Sequence, residues 1–187
     1  IHDILEPGKA RPLIERGLQW PLGLAVDETG ELYVADGVFT YTLRAGEDLR
    51  LVGTLFTPGF PGYTRGVFAE APGQYVVTTA NGNVARYWPE RLESDVLGTG
   101  YDRLMGVAVT SGGAVIAAEL GTGRILSFEG GSVSVLATDF DGPMGVAVDL
   151  DDTIYIAERG AGRVVKLVGG IVDVVCDGLG LPEGIAL

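Results

Sequence analysis

The chain has 187 residues, 47% of them hydrophobic, which is enough to bury a sizeable core and excludes a disordered chain. Its formal net charge of −12 argues against nucleic acid or an anionic membrane surface as a partner, because both require a basic face. A single cysteine, Cys176, excludes an internal disulfide and a multi-cysteine zinc site, and the one histidine, His2, argues against histidine-dependent catalysis.

One short phrase returns five times along the chain. Its copies are Pro21–Val26, Thr64–Phe68, Leu104–Val109, Pro143–Val148 and Pro182–Leu187. The glycine that they share recurs at spacings of 43, 40, 39 and 39 residues. A period of about 40 residues filled with short strands is typical of a β-propeller with one blade per repeat. The sequence therefore predicts an all-β propeller of four-stranded antiparallel blades.

The repeats divide the chain into one propeller domain, 1–187. In chain order we predict a partial blade at 1–20, complete blades at about 21–63, 64–103, 104–142 and 143–181, and the start of a further blade at 182–187. Four blades are near the lower limit for closure. We therefore expect about 4.5 blades here and six, or alternatively five, in a parent protein, with the missing blades supplied by the same chain or another chain.

The repeat over 143–181 shows the predicted blade most clearly. Its strands are predicted at 145–149, 153–157, 163–168 and 171–176. Asp-rich and Gly-rich turns separate them, and Gly169 and Gly170 form a hairpin turn. The fourth strand is apolar, so Cys176 at its end is predicted to be a buried structural thiol.

Two positions of each repeat are expected to meet at one end of the central channel. The first strand runs down the channel and the second returns, so the residue before the shared glycine lies near the residue that ends the second strand. Loops from every blade converge there, which makes this mouth the expected functional site. The residues before the glycine are Leu22, Arg65, Met105, Met144 and Glu183. The residues that end the second strands are Asp36, Thr79, Glu119 and Glu158.

Asp36 and Glu183 are the candidate catalytic residues. Asp36 has Tyr41 where other repeats carry arginine, and Glu183 stands where its counterparts are Met, Leu or Arg. A carboxylate without a local partner could bind a hard cation, exchange a proton or pair with Arg65. The simpler alternative is an ordinary solvated carboxylate.

The segment Phe56–Arg65 is longer than the other links between blades and is rich in aromatic residues and Pro-Gly turns. A rigid aromatic loop beside Arg65 would suit an apolar ligand with an anionic or carbonyl group. Phe60 and Tyr63 are therefore candidate ligand-binding residues, together with Arg65 and its neighbours Leu22, Met105 and Met144. The alternative is an insertion that packs only on its surroundings.

The clearest repeat reads Pro-Met-Gly-Val-Ala-Val-Asp at Pro143–Asp149, Ile-Tyr-Ile-Ala-Glu at Ile154–Glu158, and Gly-Ala-Gly-Arg-Val at Gly160–Val164. This pattern resembles the NHL repeat. It is also similar to the propellers of the gluconolactonase/regucalcin and strictosidine-synthase-like group, and the resemblance covers essentially the whole chain. It is specific for the fold and weak for function, because these families include lactone hydrolases, lyases, a synthase and pure binding modules.

The resemblance also implies roles for individual residues. NHL-like repeats usually carry an acid and an arginine across the loop after the second strand, which implies structural ion pairs between Glu119 and Arg124 and between Glu158 and Arg163. Gluconolactonase-like propellers hold a divalent metal with Glu, Asn and Asp before the first strands. Of those positions the chain keeps only Glu183, because Met105 and Met144 are soft, neutral side chains. NHL-like lyases generally rely on histidine, and His2 is the only one here.

Two main functions follow as hypotheses. The first is a ligand-binding or interaction propeller that takes a small molecule or a protein at the channel mouth. The alternative is a small-molecule hydrolase of the lactonase type, or a synthase or lyase, that uses a carboxylate at the mouth with or without a divalent cation such as Ca²⁺ or Mg²⁺. A propeller used only for assembly is a third, weaker reading.

Overall fold

The computed structural model describes the backbone of residues 2–6, 9–12, 14 and 17–187, and the side chains of residues 14 and 17–187. Two strands, β1 (His2–Glu6) and β2 (Lys9–Pro12), pair as an antiparallel hairpin. The side chain of His2 falls outside the described residues. No helix within the described residues is long and apolar enough to cross a membrane.

The rest of the described chain forms four antiparallel sheets of four strands each, paired in chain order. The strands of the first sheet are β3 (Pro21–Val26), β4 (Leu32–Asp36), β5 (Phe39–Leu43) and β6 (Arg50–Thr54). Those of the second are β7 (Thr64–Ala71), β8 (Gln74–Thr79), β9 (Val84–Trp88) and β10 (Glu93–Gly98), with a 3₁₀ turn at Pro89–Arg91. The third has β11 (Leu104–Val109), β12 (Val115–Glu119), β13 (Arg124–Glu129) and β14 (Ser132–Ala137). The fourth has β15 (Pro143–Val148), β16 (Ile154–Glu158), β17 (Arg163–Val168) and β18 (Ile171–Cys176). The prediction of an all-β fold with four-stranded antiparallel blades is confirmed.

The blades stack face to face, and the core lies between them. Strands β3, β7, β11 and β15 lie side by side in chain order. Tyr33 and Tyr75 pack between the first two blades, with ring centroids 4.1 Å apart, and Ile116 and Ile156 belong to the cluster between the last two. Because each burial of a large apolar side chain contributes about 1.5–3 kcal/mol, the interfaces between blades supply most of the hydrophobic stabilisation.

The glycine shared by the repeats lies where neighbouring blades approach most closely. A Cβ atom placed on it would lie 2.2 to 2.6 Å from the carbonyl oxygen of the residue before the next such glycine. This holds for Gly23, Gly66, Gly106 and Gly145. The glycine in each copy of the phrase therefore has a steric reason, because any side chain there would collide with the backbone of the next blade. Gly184, the last of the series, has nothing within 4 Å of such an atom.

In the second, third and fourth blades the outer strand is the most exposed of the four strands. Every residue of β18 is exposed, including Cys176, so the prediction of a buried thiol is wrong. Cys176 is exposed because of the position of its strand in the blade, although the strand is apolar in composition. The fourth strand lies farthest from the channel and pairs with only one neighbour, so its apolar residues are not covered as those of β16 are.

Candidate ligand site at the channel mouth

The first strands of the four blades surround an open cavity of about 1350 Å³. Its walls come mainly from the apolar residues and glycines of β3, β7, β11 and β15 and from residues 183–187. Among the described residues that line it, only Arg65 and Glu183 have charged side chains. The cavity is therefore a largely apolar space with two charged residues in its lining.

The structure brings together all five residues that precede the repeated glycine. Leu22, Arg65, Met105, Met144 and Glu183 line the cavity, as their common place in the repeat predicts. Tyr63, Trp20 and Leu120 line it as well. Tyr63 comes from the aromatic link, whereas Trp20 and Leu120 were missed by the sequence reasoning. The sequence offered a signal for both, because Leu120 directly follows Glu119 and Trp20 lies two residues before Leu22.

Phe60 does not lie at the cavity, contrary to the sequence-based expectation. Its ring packs edge-on against Tyr87, with centroids 6.0 Å apart, in the cluster between the first two blades. The link thus divides into two parts. Phe60 anchors it to the core, and only its last residues, Tyr63 and Arg65, reach the mouth.

Arg65 is half-buried at the mouth. Its Nη1 atom donates a hydrogen bond to Sδ of Met105 over 3.3 Å. A thioether is a weak and neutral acceptor, so this contact orients the guanidinium without compensating its charge. Among the residues whose side chains the structure describes, no carboxylate lies within 4.0 Å of the Arg65 guanidinium. Arg65 is therefore placed to receive an anionic or strongly polar ligand atom.

Glu183 has a partner that the sequence did not reveal. Its Oε1 atom lies 3.0 Å from Nε of Arg159, which follows the second strand of the fourth blade. The glutamate side chain is 61% exposed, and a surface ion pair of this kind is worth at most about 1 kcal/mol. Glu183 thus remains accessible at the edge of the cavity, although it is not the unpartnered carboxylate that was expected.

Asp36 also differs from expectation, because it is buried and does not line the cavity. Its carboxylate accepts a hydrogen bond of 2.8 Å from the backbone amide of Gln19 and another from that of Trp20. These amides belong to the link that enters the first blade. Asp36 therefore fixes the position of Trp20 at the mouth instead of facing a ligand.

Glu119 and Glu158 do the same in the third and fourth blades. Glu119 accepts a hydrogen bond of 2.8 Å from the amide of Asp102, and Glu158 one of 2.9 Å from that of Asp141. In both cases, and for Asp36 with Gln19, the acceptor follows the donor by 17 residues. The acid at the end of the second strand thus ties each of these three links to its own blade.

Each of these two glutamates also forms an ion pair across the loop that follows. Nη2 of Arg124 lies 2.6 Å from Oε2 of Glu119, and Nε of Arg163 lies 2.5 Å from Oε2 of Glu158. Burial raises the pKa of Glu119, but hydrogen bonds from Thr122, from the backbone and from Arg124 outweigh it and lower the pKa below its usual value. The hydrogen bond to Glu158 raises the pKa of Arg163. Both carboxylates are therefore engaged in structural hydrogen bonds and ion pairs.

The described residues of the mouth offer few ligands for a hard cation. Within the described part of the chain, no three His, Cys, Asp or Glu side chains lie close enough to hold a metal ion. Glu183 is the single carboxylate that lines the cavity among the residues whose side chains are described, and it is paired with Arg159. Ca²⁺ and Mg²⁺ require several oxygen ligands, and the neighbouring Met105 and Met144 supply none. The residues present therefore do not fit a calcium or magnesium site.

Comparison with known proteins shows similarity at the level of the fold. No protein-family model and no curated protein matches the chain. A catalytically inactive virginiamycin B lyase from Staphylococcus aureus, solved with quinupristin, superposes with a TM-score of 0.70 at 15% identity, over 94% of this chain and 62% of that one. A gluconolactonase from Xanthomonas campestris superposes with a TM-score of 0.73 at 18% identity, over 89% of this chain and 66% of that one.

The chain is part of a β-propeller. Both solved structures are propellers of the NHL-like and gluconolactonase-like kind, and the four sheets of this chain correspond to their blades. The chain spans less than two thirds of the length of either. At these identities the likeness describes the fold alone.

Proposed function

We propose that this chain is the ligand-binding part of a propeller and that its channel mouth takes a small molecule. The observation that carries the proposal is Arg65, a half-buried cation that faces an apolar cavity of about 1350 Å³ with only a thioether as its hydrogen-bond partner. Removing a charged group from water without an opposite charge costs free energy. A ligand that supplies the missing acceptor and fills the apolar space would recover that cost.

The shape of the mouth supports a small molecule over a protein surface. Small-molecule sites are concave and mostly apolar, with a few polar groups that fix orientation. Here Tyr63, Met105 and Met144 provide apolar walls, and Arg65 and Glu183 provide the polar groups. A peptide that inserts one side chain into the mouth is the corresponding alternative for an interaction propeller.

The two methionines give a direct test. The chain has only two, Met105 and Met144, and both line the cavity. In protein labelled with ¹³C at the methionine methyl groups, each therefore reports on the mouth by a separate signal. We would titrate the protein with naphthoate, naphthamide and naphthylmethylammonium, which share one apolar body and differ in charge.

We expect at least one of these compounds to shift both methyl signals in a saturable manner. The variant Met144→Leu assigns the two signals and retains the apolar wall. If none of the three compounds moves either signal, while the thermal melt shows a cooperatively folded protein, the mouth does not bind small apolar molecules and the proposal is wrong.

An enzymatic role is the second candidate. It is favoured by the presence of Glu183 and Arg65 in one cavity and by the similarity in fold to a lyase and a gluconolactonase. In this reading Glu183 exchanges a proton with the substrate, Arg65 stabilises a developing negative charge on oxygen, and Asp36 holds the link that shapes the mouth. No step needs to pass through a metal ion.

Two measurements distinguish an enzyme from a propeller that only binds its ligand. The first is hydrolysis of gluconolactone above the rate in buffer, which must disappear in Glu183→Gln if the enzyme reading is correct. The second is a thermal melt with EDTA and then with Ca²⁺ or Mg²⁺, because a ligand of the folded state raises the Tm. A rise that Glu183→Gln abolishes would favour a metal-dependent hydrolase, and an unchanged Tm would favour the metal-free binding propeller.

A further inference from the structure

We infer that the ligand of this mouth is an apolar monocarboxylate, with its carboxylate on Arg65 and its body between Tyr63 and the two methionines. This inference rests on the proposed function and names the chemical class of the ligand.

Arg65 stands apart from the other arginines whose side chains the structure describes. Seven of them have a carboxylate oxygen within 4.0 Å, namely Arg44, Arg50, Arg86, Arg103, Arg124, Arg159 and Arg163. Arg91 is exposed and lies over the ring of Trp88, with Cζ 5.9 Å from its centroid. Arg65 is thus the half-buried arginine of the described chain that has no carboxylate partner.

The contact with Met105 orients the Arg65 guanidinium in the cavity before a ligand binds. Nη1 of Arg65 donates to Sδ of Met105 over 3.3 Å, and both side chains line the cavity. Sulfur is a poorer acceptor than a carboxylate oxygen, so an entering carboxylate exchanges a weak hydrogen bond for a strong one. The planar fork of arginine matches the two oxygens of a carboxylate, whereas a single carbonyl oxygen uses only part of it.

The apolar residues of the cavity wall determine which uncharged body the ligand should have. Leu22, Tyr63, Leu120, Met105 and Met144 present apolar and aromatic surface at the mouth. Methionine sulfur makes favourable contacts with aromatic rings. A polyhydroxylated ligand would lose hydrogen bonds to water that these side chains cannot replace. The walls therefore favour a ring or branched hydrocarbon over a sugar.

The charged residues in the cavity lining favour a ligand with one negative group. Arg65 is the single cation of the cavity lining in the described part of the chain, and Glu183 is an anion in the same lining. Arg159 does not add a free cation for the ligand, because its Nε atom lies 3.0 Å from Oε1 of Glu183 and is paired with that carboxylate. A dianion such as a phosphate monoester would leave one charge uncompensated next to apolar walls, which is unfavourable.

The test compares naphthoate with naphthamide, which has the same shape but no charge, by calorimetric titration and by the two methionine methyl signals. We expect naphthoate to bind about 10- to 100-fold more tightly, because a hydrogen bond to a charged group contributes more than one between neutral groups. In Arg65→Gln the affinity for naphthoate should fall to that for naphthamide, while naphthamide binds as before. Arg65→Lys keeps the charge but not the fork, and should give an intermediate affinity for naphthoate.

Arg91→Gln is the control, because it removes an exposed arginine that lies over Trp88 and does not line the cavity. It should leave the preference for naphthoate in place. Equal affinities for the two compounds, or a preference that survives Arg65→Gln in a folded variant, would overturn this inference and leave the proposed binding function standing. Failure of both compounds to shift the methyl signals would instead remove the proposed function itself.

Discussion

Glu119 makes more structural contacts than the ion pair with Arg124 that its position in the sequence predicts. The same carboxylate accepts hydrogen bonds from the Asp102 amide and the Thr122 hydroxyl as well as from the arginine. The sequence predicts the ion pair because acid and arginine are five residues apart across a glycine-rich loop. It does not indicate the bond to Asp102, since that contact depends on how the entering link folds back on its blade.

Glu119→Gln should therefore lower the free energy of unfolding at neutral pH by about 1–3 kcal/mol, because hydrogen bonds to a buried charged group are weakened while Arg124 remains partly exposed to water. The side chain is buried and its pKa is lowered from the usual 4.5. A lowered pKa stabilises the folded state above the usual pKa, and this stabilisation is lost as the pH falls through the folded value. The wild type should thus lose stability below about pH 4.5 more steeply than the variant.

Urea denaturation at a series of pH values measures both effects. Glu129→Gln is the control, because Glu129 is exposed at the end of β13. A Glu119→Gln variant that is as stable as the wild type at neutral pH, or that loses stability equally on acidification, would contradict this account.

Asp36 gives a second prediction for a single residue. Asp36→Asn replaces one of two oxygens that accept backbone hydrogen bonds from Gln19 and Trp20 with an amide group that can only donate. Because an unsatisfied buried group costs about 1–3 kcal/mol, the variant should be destabilised by that amount in urea denaturation. The fluorescence of Trp20 should also change, whereas a catalytic role without a structural one would leave both properties intact.

The first strand of each blade is the element where sequence and structure agree best. Apolar residues around one invariant glycine predicted the strands, and the structure places them side by side with backbones in close approach. The repeat thus revealed the fold and the five positions at the mouth. It could not reveal Phe60 in the core or Arg159 beside Glu183, because both depend on loops that differ from blade to blade.

Gly106→Ala should destabilise the protein by about 1–3 kcal/mol, the usual cost of overpacking. Its Cβ would lie 2.6 Å from the carbonyl oxygen of Met144 and 2.7 Å from the amide nitrogen of Val146, and backbone atoms cannot move aside as a side chain can. Gly184→Ala is the matched control at the same place in the repeat, where nothing lies within 4 Å. The midpoints of urea denaturation compare the two. Equal midpoints would mean that close approach between first strands does not explain the repeated glycine.

In the whole molecule, the first blade differs from the third and fourth in how far its first strand is exposed. Leu24 in the first blade is 50% exposed, whereas the residues at the same place in the third and fourth blades, Val107 and Val146, are 5% and 6% exposed. Leu22 and Val26 on the same strand are also exposed, and all three side chains form the first-blade wall of the open cavity. A contiguous apolar surface of this kind tends to become covered by another surface.

We therefore expect the isolated chain to self-associate as its concentration rises, through the exposed apolar side of the first blade. Leu24→Lys should reduce this association in sedimentation velocity and leave the Tm nearly unchanged, because the position is open to solvent and loses little packing. Val107→Lys, at the equivalent place between two blades, should instead prevent folding, since it buries an unpaired charge. A chain that stays monomeric at high concentration, or a Leu24→Lys variant that associates as the wild type does, would show that this surface is not adhesive. Leu24 and Val107 occupy the same position within their blades. A difference in folding between the two lysine variants would therefore come from the place of each blade in the row.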